Sequence, residues 1–233
     1  MEIKSVVRSN SNRIAWIDIA KAIGVVLVVL GHTGLPEVFR KWIYEFHMPL
    51  FFFISGMFFK PLDVVPHLKK KFKAYIIPYL AFSAVFMVLN QILEPGMERF
   101  TADFIRVVTL KGAFPVLWFL AALFIIDVIY NLANRYINSD RGFLFGISIA
   151  LCLIANVSNI CQVPNYLIWQ SICEGMVFYA FGAYMKAPNN VVRSFSIPAC
   201  LATGIVTIIF AVTSTGFPIS VVDISQGQIG IPF

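Results

Sequence analysis

Three ionisable residues, Asp18, Lys21 and His32, lie inside or at the end of a segment that is otherwise almost wholly apolar. A charge in hydrocarbon costs roughly 2.5 to 3.5 kcal/mol on insertion scales, so such residues are candidates for function before they are candidates for packing. On a helix of 3.6 residues per turn the three fall within about 60° of one another. They form one stripe, with Asp18 and Lys21 near one end and His32 about 16 Å further along. Histidine changes protonation near neutral pH and suits proton transfer, and a polar stripe of this kind could line a route across the membrane. The competing reading pairs Asp18 with Lys21, or lets Lys21 snorkel to the interface, and leaves His32 in a loop.

A second histidine, His47, stands in Glu45-Phe46-His47-Met48-Pro49 at the start of the next apolar segment. Only a short loop separates the two segments, so both imidazoles can face one cavity, with Glu45 near enough to orient either ring. Pro49 is expected in the first turn of that span, where a helix has no internal donor to lose. Two histidines suit a metal, but no third ligand stands at a recognisable spacing, so proton transfer is expected here and no metal is assigned. His67, in a basic connection, reads as a solvated bystander. Phe51, Phe52 and Phe53 read as packing residues, and Ser55 and Gly56 as sites of close helix approach.

Two further residues are possible members of the site. Glu174 lies near the middle of a later apolar segment and needs a partner there, either Lys21 across a shared cavity or a neighbouring helix through Gln170 or Ser171. Trp118 and Trp169 stand near expected outer interfaces, where anchoring is the default, and Trp118 could also stack on a bound ligand.

Helices in a bilayer are expected to carry these groups. Hydrophobic residues make up 59% of the 233, charged residues 13%, and Phe occurs 23 times, which leaves too little polar surface for a water-soluble domain of this size. Seven apolar segments are expected to span: 14–30, 43–59, 75–93, 116–133, 143–157, 166–185 and 197–213. Polar breaks rich in Pro, Gly and Asn separate them. The fold class is therefore all-α, a polytopic transmembrane helical bundle forming a single domain over 1–233.

Lys and Arg collect in alternate connections: Lys4, Arg8 and Arg13, then Lys60 with Lys69, Lys70, Lys71 and Lys73, then Arg135 and Arg141, then Lys186 and Arg193. The positive-inside rule thus places the N-terminus in the cytoplasm and the loops 33–41, 91–112 and 158–165 outside. The net charge of +6 is mostly topogenic and does not indicate nucleic acid. The lysines at 69–73 could also attract anionic lipid or an anionic cytoplasmic ligand, at about 1 kcal/mol per charge. The first span has a basic lead like a secretory signal, but Asp18 and Lys21 interrupt it and no small-x-small site follows, so it is read as a retained anchor. Cys152, Cys161, Cys173 and Cys200 show no paired spacing and read as buried thiols.

Asp18-Ile19-Ala20-Lys21, ten residues to Gly31-His32, then Phe46-His47-Met48-Pro49-Leu50-Phe51-Phe52-Phe53-Ile54-Ser55-Gly56 resembles the acyltransferase-three family of membrane O-acyltransferases, most of all its fucose 4-O-acetylase-like branch. Leu117-Trp118-Phe119-Leu120-Ala121-Ala122-Leu123-Phe124 and Phe178-Tyr179-Ala180-Phe181-Gly182 look like further family segments. The resemblance implies transfer of an acyl group, usually acetyl from acetyl-CoA, to a sugar hydroxyl of a surface polysaccharide, lipopolysaccharide or related glycan or glycolipid. It implies His32 as the motif base and Lys21 at the motif's Arg or Lys position, serving a CoA phosphate. Asp18 would then hold Lys21, and His47 or Glu45 would tune the catalytic ring. It also implies about ten spans, so that this chain stops short of the last ones, and a home in a bacterial cytoplasmic membrane. The alternative is a transporter or flippase of a small polar or sugar-containing substrate, which a polar intramembrane stripe also suits, although no pair of related, broken-helix halves is visible.

Overall fold

The computed structural model describes residues 15–114, 116–137, 140–161, 166–185, 221–223 and 228–230. Among the described residues eight α-helices run in the order α1 (Ala15–Gly31), α2 (Glu37–Met57), α3 (Val64–Lys71), α4 (Ile77–Leu93), α5 (Met97–Val108), α6 (Trp118–Tyr136), α7 (Arg141–Ile160) and α8 (Trp169–Met185). A short antiparallel pair, β1 (Val221–Asp223) and β2 (Gln228–Gly230), is the only sheet among the described residues. The chain is an all-α bundle. The stretches Val64–Leu93, Trp118–Tyr136 and Arg141–Ser158 are long and apolar enough to cross a membrane. The seventh expected span, 197–213, lies outside the described residues.

Two expected boundaries move. The second helix begins at Glu37, directly after Pro36, so Pro49 lies well inside it and not in its first turn. The proline removes one backbone donor and one ladder bond, which transmembrane helices tolerate when neighbours re-satisfy the freed carbonyl. The third span starts at Val64, not near Tyr75. Helices α3 and α4 form one rod through a π-helical turn over Phe72–Ile76, where the Ile77 amide donates to the Phe72 carbonyl. Pro78 follows at once, and its missing N–H and bulky ring are what a locally widened turn accommodates.

The centre of the bundle is the α2–α8 contact. A Cβ built on Gly56 would collide with the Tyr179 carbonyl oxygen and lie 3.1 Å from the Ala183 nitrogen. One on Gly182 would collide with the Phe53 carbonyl oxygen and lie 3.1 Å from the Met57 nitrogen. Small residues at two matched positions thus let the backbones touch, which is how helices associate where lipid supplies no hydrophobic driving force. The expectation for Gly56 holds. Phe52, fully buried, packs on Phe119 with ring centroids 4.9 Å apart, and Phe59, Tyr130 and Tyr179 close the core below it.

The connection expected as an outer loop over 91–112 is instead largely helical. Asn90 of α4 donates to Asp103 of α5 at 2.8 Å, and the Tyr79 hydroxyl donates to the Val107 carbonyl at 2.8 Å. Because both tie α5 to the body of α4, α5 folds back alongside α4. Phe86 then stacks on Phe114 with centroids 4.3 Å apart. The turn out of α5 is closed by the Lys111 and Gly112 amides, both donating to the Arg106 carbonyl, and it needs the left-handed backbone of Gly112 at φ +74°. One face of α5 is apolar and uncovered in the described structure, with Met97, Phe100, Phe104 and Val108 exposed.

Candidate active site

His32 sits immediately after the last residue of α1 and is exposed. Its Nδ1 lies 2.8 Å from the Val28 carbonyl oxygen. A carbonyl can only accept, so Nδ1 carries the proton and donates. In the neutral ring the lone pair is then on Nε2. His47, buried in α2, repeats the pattern, with Nδ1 at 2.6 Å from the Ile43 carbonyl oxygen. Both imidazoles therefore hold their basic nitrogen away from their own helix.

Tyr44 joins them. Its ring meets His32 edge-on at 5.6 Å and 85°, and meets His47 at 5.4 Å. The two histidines expected to share one end of the bundle do so, with a phenol between them. Glu45 belongs to α2, but its side chain lies outside the described residues.

The rest of the stripe lies along α1. Asp18 and Lys21 are exposed, and the Lys21 ammonium stands 4.8 Å from the centre of the Phe58 ring, just beyond the end of α2. Lys21 and His32 thus each meet a ring at one end of α2, Phe58 and Tyr44. The stripe borders the α1–α2 seam along its whole length. Beside the stripe, Gly24 and Gly31 are buried against α2, with the Phe51 ring filling the space beside Gly24 and Ile43 close to Gly31.

The two possible additions fall elsewhere. Trp118 is a core residue, 5% exposed and packed on Phe52 and Phe119, and not an interfacial anchor. The helix α6 begins at this tryptophan, at the level of the Phe52 ring, so the side chain enters the bundle and does not stand at its rim. Glu174 is fully buried in α8, next to Gly175, whose missing side chain leaves room for Phe52 and Ile126. Gln170 and Ser171 are buried on the same helix.

Among the described residues the densest cluster of ionisable groups lies away from the stripe, around α6. Asp127, in the middle of α6 and fully buried, lies 2.6 Å from the Lys71 ammonium and 3.3 Å from His67 Nε2, and accepts the Tyr179 hydroxyl on its other oxygen. His67 is 2% exposed, so the solvated reading of that residue is overturned: on an otherwise largely exposed α3, helical spacing turns His67 and Lys71 to one face, toward Asp127. A lone carboxylate in the fourth apolar segment was the available signal, because such a group needs a counter-charge. Nearby, Asn131 exchanges two hydrogen bonds with the backbone of Leu62, and Asp63 pairs with Arg135, so the α2–α3 connection is fastened to the end of α6.

A helical bundle that crosses a membrane and carries a histidine with an open basic nitrogen at a helix end has the form of a membrane-embedded group-transfer enzyme. A family model described as an acyltransferase domain matches residues 14–229. The chain belongs to the acyltransferase-3 family and is a membrane acyltransferase. No curated protein and no solved structure matches it.

Proposed function

We propose that the protein moves an acyl group, acetyl first of all, from acyl-CoA to a sugar hydroxyl of a surface polysaccharide, lipopolysaccharide or related glycan, in the manner of the fucose 4-O-acetylase-like branch. The observation that carries this reading is the Nδ1 bond of His32 to the Val28 carbonyl, which leaves Nε2 as the base. In that role Nε2 takes the proton of the acceptor hydroxyl as its oxygen attacks the thioester carbonyl. The carbon–sulfur bond breaks, and the CoA thiolate leaves and is protonated. Lys21 offers its ammonium to a phosphate of the CoA, with Asp18 one turn away to orient it. As a point charge, lysine does this without the paired bonds an arginine would make. His47 and Glu45 support the histidine end, and lipid surrounds the bundle. The setting that fits best is a bacterial cytoplasmic membrane with the N-terminus inside.

The test is transfer of labelled acetyl from acetyl-CoA to endogenous glycans in membranes carrying the protein, beside a His32→Ala variant at equal expression. Label that depends on His32 supports the proposal. Absence of transfer by well-folded protein with any common acyl-CoA and acceptor pool would move the reading to a transporter.

A further inference from the structure

We propose that Tyr44 is a positioning residue for the His32 base, an inference that rests on the acyl-transfer reading above. His32 lies just past the C-terminal end of α1, where the last carbonyls of a helix have no intrahelical donor and the backbone frays unless something outside the helix holds it. The Tyr44 hydroxyl supplies such a donor, bonding the Gly31 carbonyl, the one directly before His32, at 3.1 Å. The same side chain presents its ring to the imidazole in a T-shaped contact at 5.6 Å. One residue therefore fixes both the backbone that carries His32 and the ring itself.

The mount for Tyr44 is firm. It lies three residues before the buried His47 on the same face of α2, and its ring rests against that imidazole at 5.4 Å. Close approach of the helices holds the geometry from the other side. A Cβ on Gly31 would come within 3.0 Å of Ile43 Cγ2, so the end of α1 is seated directly on α2 beside Tyr44. His32, bonded to its own helix through Val28, gains from Tyr44 a reference point on a second helix.

The test compares Tyr44→Phe, which keeps the ring and removes the donor, with Tyr44→Leu, which removes both, measuring kcat and KM for acetyl-CoA per folded protein in membranes. Tyr44→Phe is expected to lower kcat about two- to tenfold, as loss of one hydrogen bond would, and Tyr44→Leu by about tenfold to a hundredfold, with KM for acetyl-CoA unchanged in both. Because Tyr44 acts through His32, adding Tyr44→Leu to His32→Ala should cause no further loss. Full multiplication of the two losses would mean general damage to the fold and overturn the inference, as would wild-type kcat in Tyr44→Leu. If the unaltered protein transfers no acyl group, the proposed function itself fails and this role falls with it. An active wild type with indifferent Tyr44 variants refutes the positioning role alone.

Discussion

Lys71 and Asp127 form an ion pair at 2.6 Å in which the carboxylate is fully buried and the ammonium is still partly open. They come from helices α3 and α6, far apart in the chain. The same carboxylate receives Tyr179 of α8, so one side chain binds three helices. Burying a charge is tolerable only with partners, and removing one partner strands the rest. Asp127→Ala is therefore expected to destabilise the bundle by about 3 kcal/mol, the low end of the range for broken buried pairs because Lys71 keeps some solvent. Asp127→Asn should cost less. Pairing Asp127→Leu with Lys71→Met should recover much of the loss, and thermal unfolding in detergent would reveal all three. Equal midpoints for Asp127→Ala and wild type would show that the pair has no structural weight.

The α2–α8 seam makes a second demand. At Gly56 and Gly182 a methyl group meets backbone atoms of the other helix, which cannot rotate out of the way. Either Gly→Ala change is expected to cost about 1 to 3 kcal/mol, as overpacking does, and to lower the yield of monodisperse protein. At Gly175 the obstacles are the Phe52 and Ile126 side chains, which can shift, so Gly175→Ala should be milder. Size-exclusion profiles of the three variants would rank them, and an opposite ranking would contradict the seam.

The tautomer of His32 separates chemistry from packing. His32→Asn retains a side-chain N–H within reach of the Val28 carbonyl but has no basic nitrogen. It should fold with wild-type stability while transfer falls about a hundredfold to ten-thousandfold, the range a general base supplies. Stability and transfer lost together would point to a structural histidine.

Helix α5 should meet lipid through its uncovered face. A nitroxide at position 104 is expected to relax strongly with oxygen and weakly with a water-soluble nickel chelate, and one at position 98, on the charged side, the reverse. Weak response to both reagents at 104 would instead place a protein surface there. Asp103→Ala, which removes the acceptor for Asn90 and a partner of Arg99, should loosen α5 and blur this contrast.

How much could be read in advance depends on range. The helical character of the apolar segments, three of which are long and apolar enough to span among the described residues, the Gly56 contact and the common end for His32 and His47 are encoded by local spacing. Helix α5 escaped notice because only one of its faces is apolar and Glu98, Arg99 and Asp103 make it read as loop. Trp118 was misplaced because an amphipathic ring near the end of a segment looks the same whether it turns to the interface or to Phe52.

Hydrophobic content and residue period act within one segment, so they suffice for the solvent, the helical class and the stripe of Asp18, Lys21 and His32. Packing between helices is what brings Tyr44 to Gly31 and closes His67 and Lys71 on Asp127. Those pairings join helices whose relative rotation and depth no single segment specifies. In a bilayer, where burying apolar surface does not choose among helix faces, that choice falls to close backbone contacts and to the need of each buried charge for a partner.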